Sequence, residues 1–332
     1  AHLLSPDPAC GVWLESPIMR LLSVGPVTVG TRAALFRLNP DIVHTHGLWT
    51  PLSAAALGWR RRSGGLTVVS PHGMLDAWAL RKSAVKKRVA LRLYERAHLD
   101  SATFIHALNE AEAEAVHALG IKTPIAIVPN GVEPDPQRPP APDFMDRPTL
   151  LFLGRLTPKK GISELIAAFG RAAPRLPGWR LALAGWEDEA ADYRAEAAAT
   201  GADIVFPGPL YGADKWAAFA GAAAFVLPSH SEGLPMTVLE AWSAGRPVLM
   251  TRACNLPVGF AEGAAVEIPT EPAAMAEILA ARLPDEGWRA AAGAAGERLV
   301  RRDFGWDRIA DTFLALYEHA LHGGPRPAAL HD

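Results

Sequence analysis

The stretch Thr149-Leu-Leu-Phe-Leu153-Gly-Arg-Leu-Thr-Pro-Lys-Lys-Gly161 decides the fold. A nearly all-apolar run of this length is too short for a helix and reads as a buried strand. Glycine closes it, a cation-rich turn follows, and an apolar helical pattern fills 162–173. Strand, glycine turn and helix form the unit of a parallel sheet, because parallel neighbours need a crossover between them. The same alternation recurs on both sides. Downstream, strands are expected at 181–184, 204–206, 223–227 and 247–250, with helices over 187–200, 213–220 and 235–244. Helices over 272–282, 288–301 and 306–321 complete that half. Upstream, Asp41-Ile-Val-His-Thr-His46, Thr67-Val-Val-Ser70, Thr103-Phe-Ile-His106 and Ile125-Ala-Ile-Val128 read as strands, with helices over 51–62, 83–99 and 109–119 between them. Between the halves, Pro134, Pro136, Pro139, Pro140, Pro142 and Pro148 crowd into 133–148, a density that blocks helix and ladder alike. The expected fold class is α/β, with two Rossmann-like, doubly wound domains whose ligands belong beyond the carboxyl ends of the strands. The boundaries follow as 1–132, a Pro-rich linker at 133–148, 149–305, a last helix at 306–322, and a tail at 323–332. Gly323-Gly324-Pro325 predicts that this tail is frayed.

Composition narrows the class further. Of 332 residues, 49% are hydrophobic and 20% charged, enough to bury real cores and too apolar for a disordered chain. A net charge of −2 offers no global reason to expect nucleic acid as a partner. No apolar run approaches the roughly 20 residues of a membrane-spanning helix. Cys10 and Cys254 lie too far apart in sequence to suggest a disulfide framework or a cysteine metal site. The expectation is a soluble, cytoplasmic protein of a reducing compartment.

The charge is uneven. Residues before 145 carry +3 and those after carry −5. Residues 59–99 hold ten Lys/Arg against Asp76 and Glu95. Within them Val85, Val89, Ala90, Leu93, Tyr94 and Ala97 recur at helical spacing, with the basic residues mostly on the other side. Such a face is either simply solvated or a dock for an anionic membrane surface, on the inner face of the cell membrane.

Two loops carry candidate chemistry. In the first, Gly154 and Gly161 let the backbone approach a ligand, and Arg155 and Lys160 put two cations into one turn, which suits a phosphate-rich ligand. Alone, it could equally be an ordinary basic surface loop. In the second, Ser231-Glu-Gly-Leu-Pro-Met-Thr-Val-Leu-Glu240, Pro235 suits the first helical position. The N–H groups of Met236, Thr237 and Val238 would then offer an anion site backed by the helix dipole. Glu232 and Glu240 would flank it, although Glu240 alone could be a helix-surface carboxylate. A glycosidase-type acid and nucleophile pair fits less well, since such a site has no use for adjacent phosphate-binding groups. His44 and His46 could share a metal ion, but residues i and i+2 of a strand lie on one face and more often pack or hydrogen-bond, so no metal is expected.

In combination, Gly154-Arg155-Leu156…Lys160-Gly161, Glu232…Glu240 and Pro129-Asn130-Gly131-Val132 resemble the retaining GT-B glycosyltransferases of family 4, the group 1 glycosyl transferases. His44-Thr-His46-Gly-Leu-Trp49, Pro71-His72-Gly-Met-Leu-Asp76 and Cys254-Asn-Leu-Pro257 resemble the subgroup that builds bacterial exopolysaccharides and cell-surface glycans. The resemblance covers roughly residues 40–321. It implies a GT-B architecture, two domains facing a central cleft, with the last helix crossing back to the first domain and governing closure. It implies a nucleotide-diphosphate-sugar donor, a glycan or lipid-linked acceptor, and no cofactor or metal. Gly154, Arg155 and Lys160 would meet the diphosphate, Glu240 the ribose, and the loop around Leu210 the base. Glu232 with Gly233, Leu234, Pro235, Met236 and Thr237 would hold the sugar and phosphates. His72 matches the histidine that faces the sugar, in a positioning or charge-stabilising role. His46, Gly47, Trp49, Trp78 and Asn130 would line the cleft and its acceptor side, though core packing is the alternative for either tryptophan.

The family opens with a strand and a glycine-rich loop. Here Gly11, Gly25 and Gly30 are scattered and Pro-flanked, so the expectation is a first domain lacking its opening strand. A nucleotide-sugar epimerase or phosphorylase on the same fold, or an inactive nucleotide-sugar-binding fragment, are the competing functional readings.

Overall fold

A computed structural model describes residues 2–5, 20–23, 29–81, 83–134, 136–188 and 191–332. The chain divides into two compact units, Ala1–Val128 with Asp311–Asp332, and Pro129–Ala310. Cys10, Gly11, Gly25 and Lys82 lie outside the described residues.

The first unit contains β1 (His2–Ser5) and β2 (Arg20–Ser23), which pair in parallel as a separate two-stranded sheet. No opening strand was expected from the sequence; Leu3-Leu4 and Leu21-Leu22 are short apolar cores without a glycine turn to announce them. Gly30 lies in the helix Val29–Leu38, so it does not form a loop. The main sheet joins β3 (Ile42–His46), β4 (Leu66–Ser70), β5 (Phe104–Ala107) and β6 (Ile125–Ile127), all parallel, in the order β6-β5-β4-β3. β5 is buried at every position, as expected of a strand covered on both faces. Leu48, Val69, Leu99, Ile105, Val116 and Ile125 form one apolar cluster. Leu35, Val43, Ala55, Ala56 and Trp59 form another.

The tail is not frayed. Leu330–His331 is a strand antiparallel to β6, and the Ile127 N–H donates to the Ala329 carbonyl at 2.9 Å. It covers a sheet edge that would otherwise present unpaired backbone groups.

The basic helix also departs from expectation. It runs as Ala84–Ala90, a π-helical turn at Leu91–Glu95, and Arg96–Ser101. In the turn the Arg96 N–H reaches back five residues to the Leu91 carbonyl, which shifts the phase of the helix. Glu95, His98 and Leu99 are buried, while Val85, Val89 and Leu93, expected on the inner face, are exposed.

In the second unit, β7 (Thr149–Leu153), β8 (Arg180–Ala184), β9 (Ile204–Val205), β10 (Ala224–Leu227), β11 (Val248–Met250) and β12 (Ala265–Glu267) form one parallel sheet in the order β12-β11-β10-β7-β8-β9. Successive strands run outward from β7 to β9, then return to the other side of β7 at β10. The strand order therefore reverses between β7 and β10, and the crevice for a ligand lies at their carboxyl ends. Leu150, Leu151, Phe152, Leu181, Leu183, Phe225 and Val226 are fully buried. The helix Ile162–Ala172 packs Leu165, Ile166 and Phe169 into the core. β12 was not anticipated, and the helix expected over 187–200 begins only at Tyr193, capped by Asp192 accepting from the Ala195 N–H at 3.0 Å. The segment before it is held elsewhere: the Leu156 N–H donates to the Trp186 carbonyl and the Asp188 N–H to the Leu156 carbonyl.

Two glycines are structural requirements here. Gly161 has φ +69°, and a Cβ would lie 2.3 Å from the Pro228 carbonyl oxygen. At Gly185 a Cβ would lie 1.7 Å from the Gly154 carbonyl oxygen. Both obstacles are backbone and cannot swing away. Gly161→Ala and Gly185→Ala should each destabilise the chain by about 3 kcal/mol or more, read from urea unfolding, whereas Gly178→Ala, in open space, should cost about 1 kcal/mol.

Candidate functional site

In the second unit the loops leaving β7 and β10 bring two of the predicted donor residues, Lys160 and Glu232, together. Gly154 closes β7, its N–H donating to the Ala184 carbonyl at 2.9 Å. A 3-10 turn, Pro158–Lys160, ends at Gly161 and turns Lys160 toward the loop after β10. The Lys160 Nζ donates to Glu232 Oε1 at 2.5 Å, and the Ser229 hydroxyl donates to the same oxygen at 2.5 Å. This ion pair is nearly dry, at 18% and 10% side-chain exposure. The Lys160 charge is therefore already paired, held by Glu232. Arg155 is exposed and makes no ion pair among the described residues.

The Glu232 loop is fastened from behind. The Glu232 N–H donates to the Ala253 carbonyl at 3.0 Å, and Asn255 Nδ2 donates to the Glu232 carbonyl at 2.7 Å. Asn255 adopts a left-handed φ of +56°, a conformation asparagine tolerates better than most residues. Beside it the Cys254 thiol is pushed up to about 12, first by burial and then by the Glu232 charge. The helix beyond the loop is Met236–Ser243, with Pro235 as its N-cap, so it starts one residue later than expected. The Val238 N–H donates to the Pro235 carbonyl, so of the three N–H groups expected to be open it is already engaged. Leu234 is buried, and Gly233 lies between it and Glu232. Glu240, one turn further, accepts from Lys215 Nζ at 2.7 Å, which makes it part of an ion pair and not a bare surface carboxylate. Leu210, half-buried, precedes Tyr211, whose hydroxyl accepts from Trp186 Nε1 at 2.6 Å. Asn130, expected on the acceptor side, clusters with this unit, where a Cβ on neighbouring Gly131 would strike the Trp306 ring at 2.6 Å.

In the first unit the carboxyl ends of β3, β4 and β5 carry four histidines. His106 Nε2 lies 2.7 Å from the Val128 carbonyl, which can only accept, so that nitrogen carries the proton. The Nδ1 of a neutral His106 then accepts from the Ser70 hydroxyl at 2.7 Å. Ser70, having donated, accepts from His44 Nε2 at 2.6 Å, and His44 Nδ1 accepts from the Tyr317 hydroxyl at 2.7 Å. One direction of donation runs through all four bonds. His44 is therefore packed and hydrogen-bonded, the use expected of histidines at i and i+2. Its ring stacks on His46 at 4.4 Å, and His46 stacks on His72 at 5.1 Å with Nδ1 and Nε2 2.8 Å apart.

These rings are held neutral. Burial, reinforced by the neighbouring histidines, pulls His44 down to about 2. Burial and His72 bring His46 to about 4. Burial brings His106 to about 4 against the opposing pull of the Val128 carbonyl, and burial also lowers His72. His72 sits at φ +53°, a strained value for a residue with a Cβ. Glu112 holds the turn in place: its carboxylate accepts from the Gly73 N–H and from the Leu108 N–H. Burial raises the Glu112 carboxyl, with those two bonds opposing the shift. The loop after β3 has a similar anchor. Gly47 (φ +81°) and Trp49 (φ +66°) are both left-handed, and the Trp49 N–H donates to buried Glu95 at 2.7 Å. Trp49 is half-buried, with Lys87 5.8 Å from its ring centroid, whereas Trp78 is exposed.

Residues 135–299 match the family described as glycosyl transferases group 1, and residues 8–131 match the glycosyl transferase 4-like domain. Together the two matches span most of the chain. The chain belongs to the group 1 glycosyltransferases.

Its relatives and structural neighbours agree. It is 27% identical over 172 residues to the O-antigen chain mannosyltransferase B of Escherichia coli, covering 51% of this chain and 45% of that one. The chain spans just under half the length of the curated relatives it matches first. Among solved structures, a sucrose-phosphate synthase from Thermosynechococcus elongatus superposes with a TM-score of 0.76 at 21% identity, over 94% of this chain and 86% of that one. Anabaena HepE in complex with UDP and glucose does so with a TM-score of 0.72 at 16% identity, over 90% and 86%. The fold of this group 1 glycosyltransferase is GT-B, with two Rossmann-like parallel sheets. No described helix is long and apolar enough to cross a membrane.

The sequence missed several residues that build these sites. Ser70 and His106 were legible in principle, since Ser70 ends β4, the neighbour of the strand carrying His44, and His106 lies near the end of β5, the next strand over. Glu112, Glu95, Ser229 and Lys215 left no such signal, because each acts through a fold-dependent contact. Tyr317 lies 273 residues from His44, beyond any local pattern.

Histidines held neutral also predict a pH dependence for this glycosyltransferase. Burial brings His98 and His106 to about 4, against 6.5 in an unstructured chain. Between those values the unfolded chain binds protons that the folded chain does not. Stability should therefore be complete above pH 6.5 and fall as the pH drops toward 4, by about 1 kcal/mol per pH unit for each buried histidine. Urea unfolding at pH 7, 6 and 5 should show this slope, and His98→Asn should flatten it. An unchanged slope in that variant would contradict a neutral His98.

Proposed function

We propose that the chain transfers a sugar from a nucleotide-diphosphate donor to a hydroxyl of a glycan or lipid-linked acceptor, with retention at the anomeric carbon and without a metal. The observation that carries this reading is the Lys160–Glu232 ion pair at the β7/β10 switch point, beside the exposed guanidinium of Arg155 and the start of the helix Met236–Ser243. A diphosphate concentrates negative charge and needs N–H donors. Arg155, Lys160 and the N–H groups of Met236 and Thr237 meet both needs, and they supply the counter-charge that a metal would otherwise provide. The Glu232 backbone is held by Ala253 and Asn255, so its carboxylate can turn to a sugar hydroxyl without the loop rearranging. Glu240 suits the ribose hydroxyls, and the Leu210 loop suits the base.

In the reaction the bond from the anomeric carbon to the donor phosphate breaks. A bond from that carbon to the acceptor oxygen forms on the same face, and the acceptor proton leaves with the diphosphate. His72, neutral and fixed by His46 and the Glu112-held turn, has the positioning or charge-stabilising part. Support for a nucleotide donor comes from HepE, a protein of the same fold solved with UDP and glucose, and support for a glycan acceptor from the mannosyltransferase relative. Neither the site nor the relatives favour an epimerase or a phosphorylase.

A thermal-shift screen of UDP-, GDP-, ADP- and TDP-sugars should find one donor class that stabilises the protein. Lys160→Ala should weaken that binding about 10- to 100-fold, as expected for a lost charged hydrogen bond. Glu232→Ala should keep the fold and lower turnover at least about 100-fold. Stabilisation by no donor, or full turnover in Glu232→Ala, would sink the assignment.

A further inference from the structure

The helix from Ala84 to Ser101 presents an apolar row to solvent. Val85 is 71% exposed, Val89 53% and Leu93 74%, at four-residue spacing. No residue of Ala84–Ala90 is buried. The row is flanked by Lys86, Arg88 and Arg92, which are exposed and make no ion pair or hydrogen bond among the described residues. Their charge is uncommitted. Lys87 and Arg96, on the same helix, are used internally: Lys87 donates to the Ala79 carbonyl at 2.5 Å, and Arg96 donates to the Leu119 and Gly120 carbonyls. Between residues 77 and 97 the only acidic side chain is Glu95, which is buried and accepts the Trp49 N–H. Nothing acidic in this segment offsets the cations beside the row.

We propose that this face docks on an anionic lipid surface, with Val85, Val89 and Leu93 entering the headgroup boundary and Lys86, Arg88 and Arg92 resting on lipid phosphates. An apolar row edged by long cationic side chains is the arrangement an interfacial helix requires. The apolar groups leave water, while the aliphatic stems of Lys and Arg reach back to the phosphates. A second copy of the chain is the poorer occupant, because it would bring this same cationic cluster against itself. Within the π turn Glu95 is buried while Leu93 stays exposed, at the same four-residue spacing as Val85 and Val89. Docking needs neither donor nor turnover, so it stands apart from the transfer reaction.

The test is co-sedimentation of the full chain with phosphatidylcholine vesicles, with and without about one-third phosphatidylglycerol, at low and high salt. Wild type should bind the anionic vesicles and not the neutral ones, and high salt should release it. Val85→Ser/Val89→Ser/Leu93→Ser should lower the bound fraction about 10-fold, and Lys86→Ser/Arg88→Ser/Arg92→Ser should abolish the preference for anionic lipid. All six positions are exposed, so both variants should keep the wild-type melting temperature, which separates lost docking from lost folding. Failure of wild type to bind, or equal binding by the apolar triple variant, overturns the proposal. So does a concentration-dependent dimer that the apolar variant dissolves, since that outcome gives the face to a second copy.

Discussion

In the second unit, parallel pairing of β7 with β10 is the constraint from which the site follows. The register places Leu150 opposite Ala224 and Leu151 opposite Phe225, so both strands end at the same level. Their loops then leave the sheet side by side. Lys160 on one and Glu232 on the other come within 2.5 Å although they are 72 residues apart in sequence. Gly161 and Gly185 permit the close backbone approaches that this arrangement demands. An α-carbon substituent at either would collide with a carbonyl group, and the loops would separate.

The sheet of the first unit uses its carboxyl ends differently. Charge there is avoided and not gathered. Tyr317, His44, Ser70 and His106 pass hydrogen bonds in one direction to the Val128 carbonyl, which leaves each donor and acceptor in that line satisfied without a proton to spare. Stacking on this line fixes His46, and His46 in turn contacts His72. Buried carboxyls under the two neighbouring loops, Glu95 and Glu112, accept the backbone N–H groups of Trp49 and Gly73, both held at positive φ. Such conformations persist only when the surroundings over-determine them.

Much of this was legible in residue order. The nine strands that hydrophobic runs and glycine turns announced are all present, because a strand buried on both faces must be apolar along its length. The elements that escaped notice lack that signature. Leu330–His331 is a two-residue edge strand beyond a Gly-Gly-Pro break, and β12 is short and only partly buried. The basic helix was legible as a helix, but its outward face was not. Apolar periodicity assumes a uniform helical phase, and the π turn at Leu91–Glu95 changes that phase midway.

For the candidate sites, sequence alone singled out the candidate loops, since chemistry-bearing residues follow strand ends and a parallel sheet gathers those ends on one side. It supplied Arg155, Lys160, Glu232, Glu240, His46 and His72. Only the tertiary structure decided what each of them touches. That Lys160 is bound to Glu232 and Glu240 to Lys215, and that His44 is gripped by Tyr317, are outcomes of strand order and packing between distant segments. Side-chain pairing depends on separations of a few ångströms in space, and distance along the chain carries almost no information about them.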